Sequence, residues 1–451
     1  MFSGMNLKQH VLALSEHFSG PLSFVPDSLR IGVGYRRSVR DIRYADSIDS
    51  SALEQQTFGR LRALVMHANL NIPFYRKFYA ARGFSPDELK TPSDWPRVPI
   101  VTKDDLQSVP LEQRCAPGPK GLLSNTGGTS GAPLVFRVEK SAIPVEWAHM
   151  HRIWKSRGYH SAELKLRFGG AYFSDEVPIV FHPRHNEFIV NANCSMPRVV
   201  EAVLALSARH MVRWVHGYPS LVAEFAYGLA AVGGGISDLF RGRLHGVLLG
   251  SEFPASIYRD AISRILSSNI ISWYGHSEMA VLAGETASGI YQSLPTYGFA
   301  EALASEEGSQ RLVSTSLHNF VHPFIRYDTG DLIQPVFKFG ASLAFRIVEG
   351  RVGDFVTDRN GRRLSLTSII FGRHHSGFDD LLHLQVRQDA PGRITLLIVP
   401  RSLPVDVEAS RADFDFSGLD LEWRLEVLAE PLRTSAGKIR LKVGDLVHGE
   451  Q

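Results

Sequence analysis

The segment from residue 124 to residue 133 combines glycine with hydroxyl side chains in the order Ser-Asn-Thr-Gly-Gly-Thr-Ser-Gly-Ala-Pro. Its glycines lack Cβ atoms and can turn successive backbone N–H groups inward, while its hydroxyls add further donors. The pattern predicts a loop that holds a polyphosphate, and it points to ATP. A Gly/Ser/Thr-rich surface loop would have the same composition. The residues concerned are Thr126, Gly127, Gly128, Thr129, Ser130 and Gly131.

A second segment, Trp-Tyr-Gly-His-Ser-Glu over residues 273–278, is typical of an apolar strand that runs into a tight turn. The turn presents the ring of Tyr274 and the carboxylate of Glu278. This carboxylate could hold Mg²⁺ against phosphate oxygens, because Mg²⁺ prefers oxygen ligands. An ordinary strand-to-turn edge would have the same pattern.

A third segment, Arg-Tyr-Asp-Thr-Gly-Asp over residues 326–331, places two acids around a glycine. Such a turn lets a carboxylate accept hydrogen bonds from the vicinal hydroxyls of a ribose, and Asp331 is the candidate. In the alternative interpretation, Asp328 and Asp331 bond to local backbone and cap the turn.

Two basic residues complete the set of candidates. Arg351 lies in Gly-Arg-Val-Gly-Asp, beside a predicted domain boundary, where it could reach a phosphate; a surface linker would look similar. Lys438 follows a glycine in Arg-Thr-Ser-Ala-Gly-Lys and could neutralise charge as a phosphoester forms, although an exposed lysine gives the same pattern. Only three lysines follow residue 165, so Lys438 stands out from the composition.

The apolar periodicity around these segments predicts the elements that position them. Residues 50–80 have helical periodicity that Pro73 breaks or restarts, so the first part of the chain is mainly helical. Short apolar runs then alternate with helical patterns, which indicates α/β layers with a largely parallel sheet. From about residue 297 a β-rich subdomain is predicted, and the last hundred residues form a small α+β unit. The strands of the alternating region are 133–138, 244–250 and 270–274, and its helices are 141–157, 198–210, 219–232 and 256–267.

Composition limits the class of protein. The 451 residues, 44% hydrophobic, suffice for two or three domains with a sizeable core. A formal net charge of +3 argues against a nucleic-acid partner. Cys115 and Cys194 support neither a disulfide framework nor a zinc cluster, which fits a reducing cytoplasm. No signal peptide and no window of ~18 apolar residues is present, so we expect a cytoplasmic protein that is not embedded in a membrane.

In this order and at these separations, the five segments resemble the motifs of the adenylate-forming superfamily, which includes acyl-CoA synthetases, adenylation domains and luciferase-like enzymes. The glycine loop resembles Thr-Ser-Gly-Thr-Thr-Gly-x-Pro, and the others resemble Tyr-Gly-x-Thr-Glu, Tyr-x-Thr-Gly-Asp, Gly-Arg-x-x-Asp and Ser-Gly-Lys. Residues 67–79 and 98–106 resemble the phenylacetate-CoA ligase branch, which includes capsular-polysaccharide biosynthesis proteins. The resemblance spans about residues 50 to 445.

The resemblance implies an α/β fold with a large N-terminal adenylation core, residues 1–350, built of layered α/β subdomains plus the β-rich subdomain. A small mobile α+β C-terminal domain, residues 351–451, rotates about Asp354. It also implies an activity: a carboxylate attacks the α-phosphate of ATP to give an acyl-adenylate and pyrophosphate. The acyl group then passes to a thiol, for which CoA is the leading candidate.

The same resemblance assigns roles to the motif residues. These roles, in chain order, are phosphate binding by loop 126–131, adenine stacking by Tyr274, Mg²⁺ binding by Glu278, ribose binding by Asp331, phosphate binding by Arg351 and charge neutralisation at the carboxylate and α-phosphate by Lys438. Trp147, Tyr218 and His276 are candidates for the acyl pocket, although each also fits a core or surface position.

Other acceptors fit the same sequence. They are the phosphopantetheine arm of a separate carrier protein, an amino sugar in capsule biosynthesis, and a cofactor that receives AMP. No carrier domain follows Lys438, so we expect any carrier to be a separate chain. A non-catalytic nucleotide-binding scaffold is a further alternative, against which the retention of four charged motif residues argues.

Overall fold

The structure is a computed structural model that describes most of the chain. By their contacts the residues form two compact units, the first with residues 27–158 and 273–352, the second with residues 1–26, 159–272 and 353–451. The described residues are 25–118, 121–125, 134–169, 177–191, 194–233, 239, 243–252, 255–267, 269–304, 310–349, 355–361, 363–366, 369–370, 380–401, 407–433 and 439–443.

The helices of the described residues are α1 (Asp27–Arg30), α2 (Val33–Ala45), α3 (Ser50–Asn71), α4 (Pro73–Ala81), α5 (Lys103–Gln107), α6 (Ala142–Lys155), α7 (Met196–Arg209), α8 (Pro219–Ala231), α9 (Ser256–Ile265) and α10 (Val407–Ala412). In this part of the chain, no helix combines the length and the apolar character that crossing a bilayer requires.

The strands of the described residues are β1 (Leu122–Asn125), β2 (Val135–Val138), β3 (Leu164–Phe168), β4 (Ile179–His182), β5 (Glu187–Val190), β6 (Val212–Gly217), β7 (Gly246–Leu249), β8 (Ile270–Gly275), β9 (Leu282–Ala287), β10 (Ile290–Ser293), β11 (Gly298–Ala304), β12 (Gln310–Ser316), β13 (Tyr327–Phe339), β14 (Ser342–Glu349), β15 (Phe355–Thr357), β16 (Arg363–Ser365), β17 (Leu381–Ala390), β18 (Arg393–Pro400), β19 (Glu422–Val427) and β20 (Lys442–Val443).

The N-terminal helices of the first unit confirm the predicted break at Pro73. Helix α3 begins after Asp49, whose side chain accepts a hydrogen bond from the backbone N–H of Ala52 at 2.9 Å. It ends at Asn71, and Pro73 occupies the first turn of α4, where its missing N–H leaves no hydrogen bond unmade. The residues that these two helices bury include Leu61, Leu64, Val65, Tyr75 and Tyr79.

The first unit also contains an antiparallel sheet in the order β11-β12-β13-β14-β10-β9. Residues 273–275 of β8 pair with β9, and Trp273 lies opposite Gly284. This sheet is the predicted β-rich subdomain, and it begins earlier in the chain than residue 297. It brings the end of β8 and the start of β13, which carry two of the predicted motifs, into one layer.

The second unit contains the predicted parallel sheet, in the order β4-β5-β3-β6-β7 followed by residues 270–272 of β8. Only β4 runs antiparallel to its neighbour. Helices α7, α8 and α9 pack on this sheet through one apolar core. The alternation of short apolar runs with helical patterns therefore predicted the type of layer, and the predicted strands 244–250 and 270–274 belong to it. The predicted strand 133–138 does not: it is β2, which pairs antiparallel with β1 in a separate two-stranded sheet.

Strand β3 also lies in this sheet, and its alternating sequence, Leu-Lys-Leu-Arg-Phe, has a buried lysine at its second position. Lys165 pairs in register with Glu187 of β5, and its Nζ lies 3.3 Å from Oε2 of that carboxylate with both side chains fully buried. Nζ also donates to the carbonyl oxygen of His185 at 2.5 Å. Although burial opposes it, the charge of Lys165 holds the pKa of Glu187 well below its usual range. The ion pair therefore offsets the desolvation cost of burying the two charges.

The C-terminal part of the second unit is the predicted α+β region. Its sheet has the order β19-β18-β17-β20, with β17 and β18 antiparallel and the outer strands parallel to their neighbours. Its apolar residues belong to the same core as those of the parallel sheet. Asp354 lies outside the described residues, so rotation about it stays a prediction.

Candidate active site

Two of the predicted nucleotide-binding residues meet in the first unit. The hydroxyl of Tyr274, at the end of β8, donates a hydrogen bond to Oδ2 of Asp331 in β13. Asp331 is buried, and a buried carboxylate is stabilised by such a donor. The two residues are 57 positions apart in the chain, so the contact joins two of the five sequence motifs.

Asp328 makes the local hydrogen bonds of the neighbouring turn. Its Oδ1 accepts the backbone N–H of Gly330 at 3.0 Å, and its Oδ2 lies 2.7 Å from Nη1 of Arg311. Gly330 has a φ of +76°, a conformation that glycine adopts without strain. The two interpretations of this motif thus apply to different acids: Asp328 caps the turn, and Asp331 faces Tyr274.

Arg326 anchors the start of the same strand. Its Nε and Nη2 donate to the two oxygens of Glu301 at 3.1 and 3.0 Å. Its Nη1 donates to the carbonyl oxygens of Pro96 and Val98 at 2.8 and 2.6 Å. Arg326 has a φ of +44°, which is uncommon for a residue with a Cβ atom. A buried, bidentate arginine in this conformation holds the strand that carries the Asp328 turn.

His276 and Glu278 lie side by side just after Tyr274. Nδ1 of His276 is 3.2 Å from Oε2 of Glu278, and the side chains are 6% and 4% exposed. Neither ring nitrogen of His276 makes a hydrogen bond of good geometry. The backbone N–H of Met279, which has a φ of +53°, donates to the carbonyl oxygen of His276 at 3.1 Å. The predicted tight turn therefore exists, and it presents a histidine beside a buried carboxylate.

Glu146, in α6, joins this group although the sequence did not indicate it. Burial raises the pKa of its carboxyl to about 7, while the charge of His276 opposes that rise. Such a carboxyl is protonated in part of the molecules near neutral pH, so it can donate as well as accept a hydrogen bond. Its helix shows ordinary amphipathic periodicity. The raised pKa of Glu146 comes from its burial in the folded protein, which the local sequence does not predict.

The three candidates for the acyl pocket have different surroundings. Trp147 lies in a hydrophobic cluster with residues of α2, and its ring meets those of His151 and Trp154 edge-on at centroid distances of 5.9 and 6.0 Å. Tyr218 is the residue before α8, in the second unit. His276 lies next to Tyr274, with ring centroids 6.1 Å apart. Binding of the acid by any of the three stays a prediction.

The glycine loop 126–131, Arg351, Asp354 and Lys438 lie outside the described residues, so their roles stay predictions. Residues that flank two of these segments are described. Asn125 and Val135 are paired at the end of the antiparallel β1–β2 ladder, on either side of the glycine loop. Arg433 and Ile439 form an antiparallel bridge on either side of the segment that contains Lys438.

Glu278 fits the predicted Mg²⁺ ligand by its chemistry. No group of three or more His, Cys, Asp or Glu side chains that could hold a metal occurs among the described residues. Mg²⁺ at nucleotide sites needs no such group, because one or two carboxylates act together with phosphate oxygens and water. Glu278 supplies one buried carboxylate, which is a ligand of this kind.

The chain is similar in sequence to phenylacetate-coenzyme A ligases. It is 25% identical to the enzyme of Pseudomonas putida over 321 residues, which cover 66% of this chain and 69% of that protein. It is 32% identical to the enzyme of Aromatoleum evansii over 97 residues, and this match spans 21% of the chain and 22% of that relative. No protein-family model matches the sequence.

The fold is similar to that of 2-hydroxyisobutyryl-CoA ligase, solved in the postadenylation state in complex with R3-HIB-AMP. The TM-score is 0.63 at 18% identity, over 89% of this chain and 91% of that chain. GH3.15 acyl acid amido synthetase has a TM-score of 0.53 at 13% identity, over 84% and 87% of the two chains. The α/β fold is thereby confirmed, and together the sequence relatives and structural neighbours place the chain in the adenylate-forming superfamily.

Proposed function

We propose that the protein adenylates a small carboxylic acid with ATP and then transfers the acyl group to the thiol of CoA. The observation that carries the proposal is the contact between Tyr274 and Asp331. It joins a residue proposed to stack on adenine with a residue proposed to bind ribose. An arrangement of this kind suits a nucleoside, because the ring supplies a flat apolar surface and the carboxylate supplies acceptors for two hydroxyls.

The proposed chemistry needs positioning and charge neutralisation more than covalent help from the protein. The backbone and hydroxyls of loop 126–131 bind the β- and γ-phosphates, and Arg351 binds a phosphate. Lys438 neutralises the charge that develops where the substrate carboxylate attacks the α-phosphate. The carboxylate oxygen forms a bond to phosphorus, and pyrophosphate leaves.

Glu278 is the residue that would hold Mg²⁺, which when bound neutralises negative charge on the phosphate oxygens. His276 lies against this carboxylate, with its Nδ1 3.2 Å from Oε2. Contact with the imidazole ring limits the positions that this buried carboxylate can take, a role that outer partners of metal ligands have elsewhere.

The proposal is tested by ATP–pyrophosphate exchange with a panel that contains phenylacetate, benzoate, 2-hydroxyisobutyrate, acetate and several amino acids. Each active acid is then incubated with CoA, and thioester formation is measured by mass spectrometry. Exchange together with a thioester supports the proposal and identifies the acid. ATP binding without exchange for every acid would contradict it and favour a nucleotide-binding scaffold.

An amine acceptor is the second candidate, and the likeness to GH3.15 acyl acid amido synthetase favours it. An acyl-adenylate can react with an amine as readily as with a thiol, so adenylation would be common to both reactions. The two functions separate in the second step. Exchange without a thioester, followed by amide formation with an amino acid or an amino sugar, would show that an amine and not CoA is the acceptor. Acyl transfer to the phosphopantetheine thiol tests a separate carrier protein. Transfer of AMP from ATP with release of pyrophosphate tests a cofactor that receives AMP.

A further inference from the structure

The residues on either side of Lys438 form the base of a hairpin that one buried side chain ties together. Arg433 and Ile439 are bridge partners, and residues 434–438 connect them. Gln385 of β17, which is 1% exposed, binds both arms just outside that bridge. Its Oε1 accepts the N–H of Leu432 at 2.7 Å, and its Nε2 donates to the carbonyl oxygens of Leu432 and Arg440 at 2.9 Å each.

The arm before the lysine is held by Glu224 of α8. Nη2 of Arg433 lies 2.5 Å from Oε1 of Glu224, and Nε2 of His383 lies 2.5 Å from the same oxygen. Nδ1 of His383 lies 3.2 Å from the hydroxyl of Tyr258, so the tautomer that satisfies both contacts donates from Nε2 and accepts at Nδ1. Burial alone would raise the pKa of Glu224, but its hydrogen bonds and its charged neighbours lower it.

The arm after the lysine is held by Glu252. The backbone N–H of Ile439, the residue that follows Lys438, donates to Oε1 of Glu252 at 2.9 Å. The other carboxylate oxygen accepts the hydroxyl and the N–H of Ser220 at 2.7 and 3.3 Å. Ser251, directly before Glu252, has a φ of +69°, which is unfavourable for a residue with a Cβ atom. The surrounding structure therefore holds the backbone that directs this carboxylate in an unfavourable conformation.

We propose that Glu224 and Glu252 are positioning residues: they hold Arg433 and Ile439, the described residues on either side of the lysine segment, and the function of Lys438 depends on them. The inference rests on the proposed role of Lys438 in adenylation. Both carboxylates lie in the parallel-sheet part of the second unit, and each binds one arm. A shift of about 1 Å in a group that acts on developing charge can lower a rate about 100-fold, so these contacts matter for the chemical step more than for ATP binding.

The test compares Glu252→Ala with Glu426→Ala. Glu426 forms an ion pair with Arg387 at 3.0 Å on the C-terminal sheet. Its replacement therefore also removes a carboxylate that has a partner, but at a site away from the hairpin. The rate of ATP–pyrophosphate exchange is measured with phenylacetate or with the most active acid of the panel. We expect Glu252→Ala to lower this rate by about 10- to 100-fold and to leave the Kd for ATP within about 2-fold of the wild-type value. Glu426→Ala should retain the wild-type rate.

The decisive measurement is the combination with Lys438→Ala. If Glu252 acts through the lysine, Glu252→Ala should slow the Lys438→Ala enzyme by less than about 2-fold, because residues that act as a unit are not additive. Losses that multiply would overturn the inference. A near-normal rate for Lys438→Ala alone would instead count against the proposed function of the lysine, so the two failures are distinguishable.

Hydrogen exchange at the Ile439 amide tests the contact itself and needs no acid substrate. We expect this amide to exchange at least about 10-fold faster in Glu252→Ala than in the wild type and in Glu426→Ala. Equal exchange in all three proteins would contradict the contact. Should Glu252→Ala fail to fold, Arg433→Gln, which removes the ion pair with Glu224, serves in its place and is expected to show the same loss of rate and the same dependence on Lys438.

Discussion

The hydroxyl of Tyr274 and the carboxylate of Asp331 form a hydrogen bond that links two strands of the antiparallel sheet. The contact holds the ring of the tyrosine beside the carboxylate. One short interaction therefore aligns the two groups that we propose to bind the two halves of adenosine.

Replacement of Tyr274 by Phe separates these two roles. The ring remains, but the donor to Asp331 is lost, and a hydrogen bond contributes about 1 kcal/mol. We expect the Kd for ATP to rise about 5-fold while the adenylation rate at saturating ATP stays close to normal. Titration calorimetry measures the Kd, and Tyr44→Phe, an exposed tyrosine, is the control. An unchanged Kd would show that the hydrogen bond does not organise the nucleotide site.

Replacement of Lys438 by Ala should affect the chemical step more than nucleotide binding. The lysine is proposed to act on charge that develops in the transition state, so its loss lowers the rate and leaves ground-state binding largely intact. We expect adenylation to fall by about 100-fold or more, the loss typical for one charge-stabilising group. Lys442→Ala, four residues further on, is the control, and near-normal adenylation in Lys438→Ala would refute the assignment.

Replacement of Asp354 by Pro should separate the two half-reactions. Proline fixes φ near −65° and removes the torsional freedom that rotation of the C-terminal region would need. We expect ATP–pyrophosphate exchange to continue within about 3-fold of normal, while thioester formation falls by more than about 10-fold. Asp358→Ala, four residues further along the chain, should spare both. Equal loss of both half-reactions would mean that residue 354 is not a hinge.

The stability of the protein should fall in acid, and His149 shows why. Its Nδ1 lies 2.8 Å from the carbonyl oxygen of Val145, which can only accept, so Nδ1 carries the proton and Nε2 accepts the hydroxyl of Thr296 at 2.9 Å. Burial lowers the pKa of His149 to about 3 from an ordinary value of 6.5. Between these values the unfolded chain binds a proton that the folded chain does not, so the free energy of unfolding falls as pH falls from 6.5 to 3.

His149→Gln should reduce the pH dependence of unfolding by about one proton, or about 1.4 kcal/mol per pH unit across that window. Urea unfolding at several pH values measures the slope, and His160→Gln, at an exposed histidine, should leave it unchanged. An equal slope in the His149 variant would contradict the neutral, buried state of the imidazole. Burial lowers the pKa of four more histidines, which act in the same direction: His185, His216, His318 and His322.

The buried ion pair of Lys165 and Glu187 predicts a coupling between two substitutions. Lys165→Met leaves the carboxylate buried without its main cation and should destabilise the protein by about 3–5 kcal/mol. The double variant Lys165→Met, Glu187→Leu removes both charges and should recover most of that loss. Chemical denaturation measures both. If the double variant were as unstable as Lys165→Met alone, the loss of stability would not come from leaving the charge of Glu187 unpaired.

The same pair shows where sequence patterns stop predicting structure. Strands such as β7 were predictable because every residue in them is apolar and buried. The burial of Lys165 in β3 was not predictable, because alternation places a polar residue on the exposed face and its partner, Glu187, is 22 positions away in the chain. Only the fold brings the two charges together, and no local rule records a pairing of that kind.

The candidate site likewise has a part that the sequence predicts and a part that only the fold determines. Motif order and spacing indicated Tyr274, Glu278 and Asp331, but they left open whether Asp331 is available to a ribose or, like Asp328, bonds to the local backbone of the turn. That choice depends on the conformation of Gly330 and on a tyrosine in another strand. Glu146 gave no signal at all, because its pKa follows from the packing around its helix.

The pairing of Asn125 with Val135 has a thermodynamic consequence for nucleotide binding. The ladder brings both ends of the glycine segment together when the protein folds, so the entropy of closing that loop is lost before any ATP arrives. A loop with one unattached end would have to make up the closure term from its contacts with phosphate, and its affinity for ATP would be weaker by that amount.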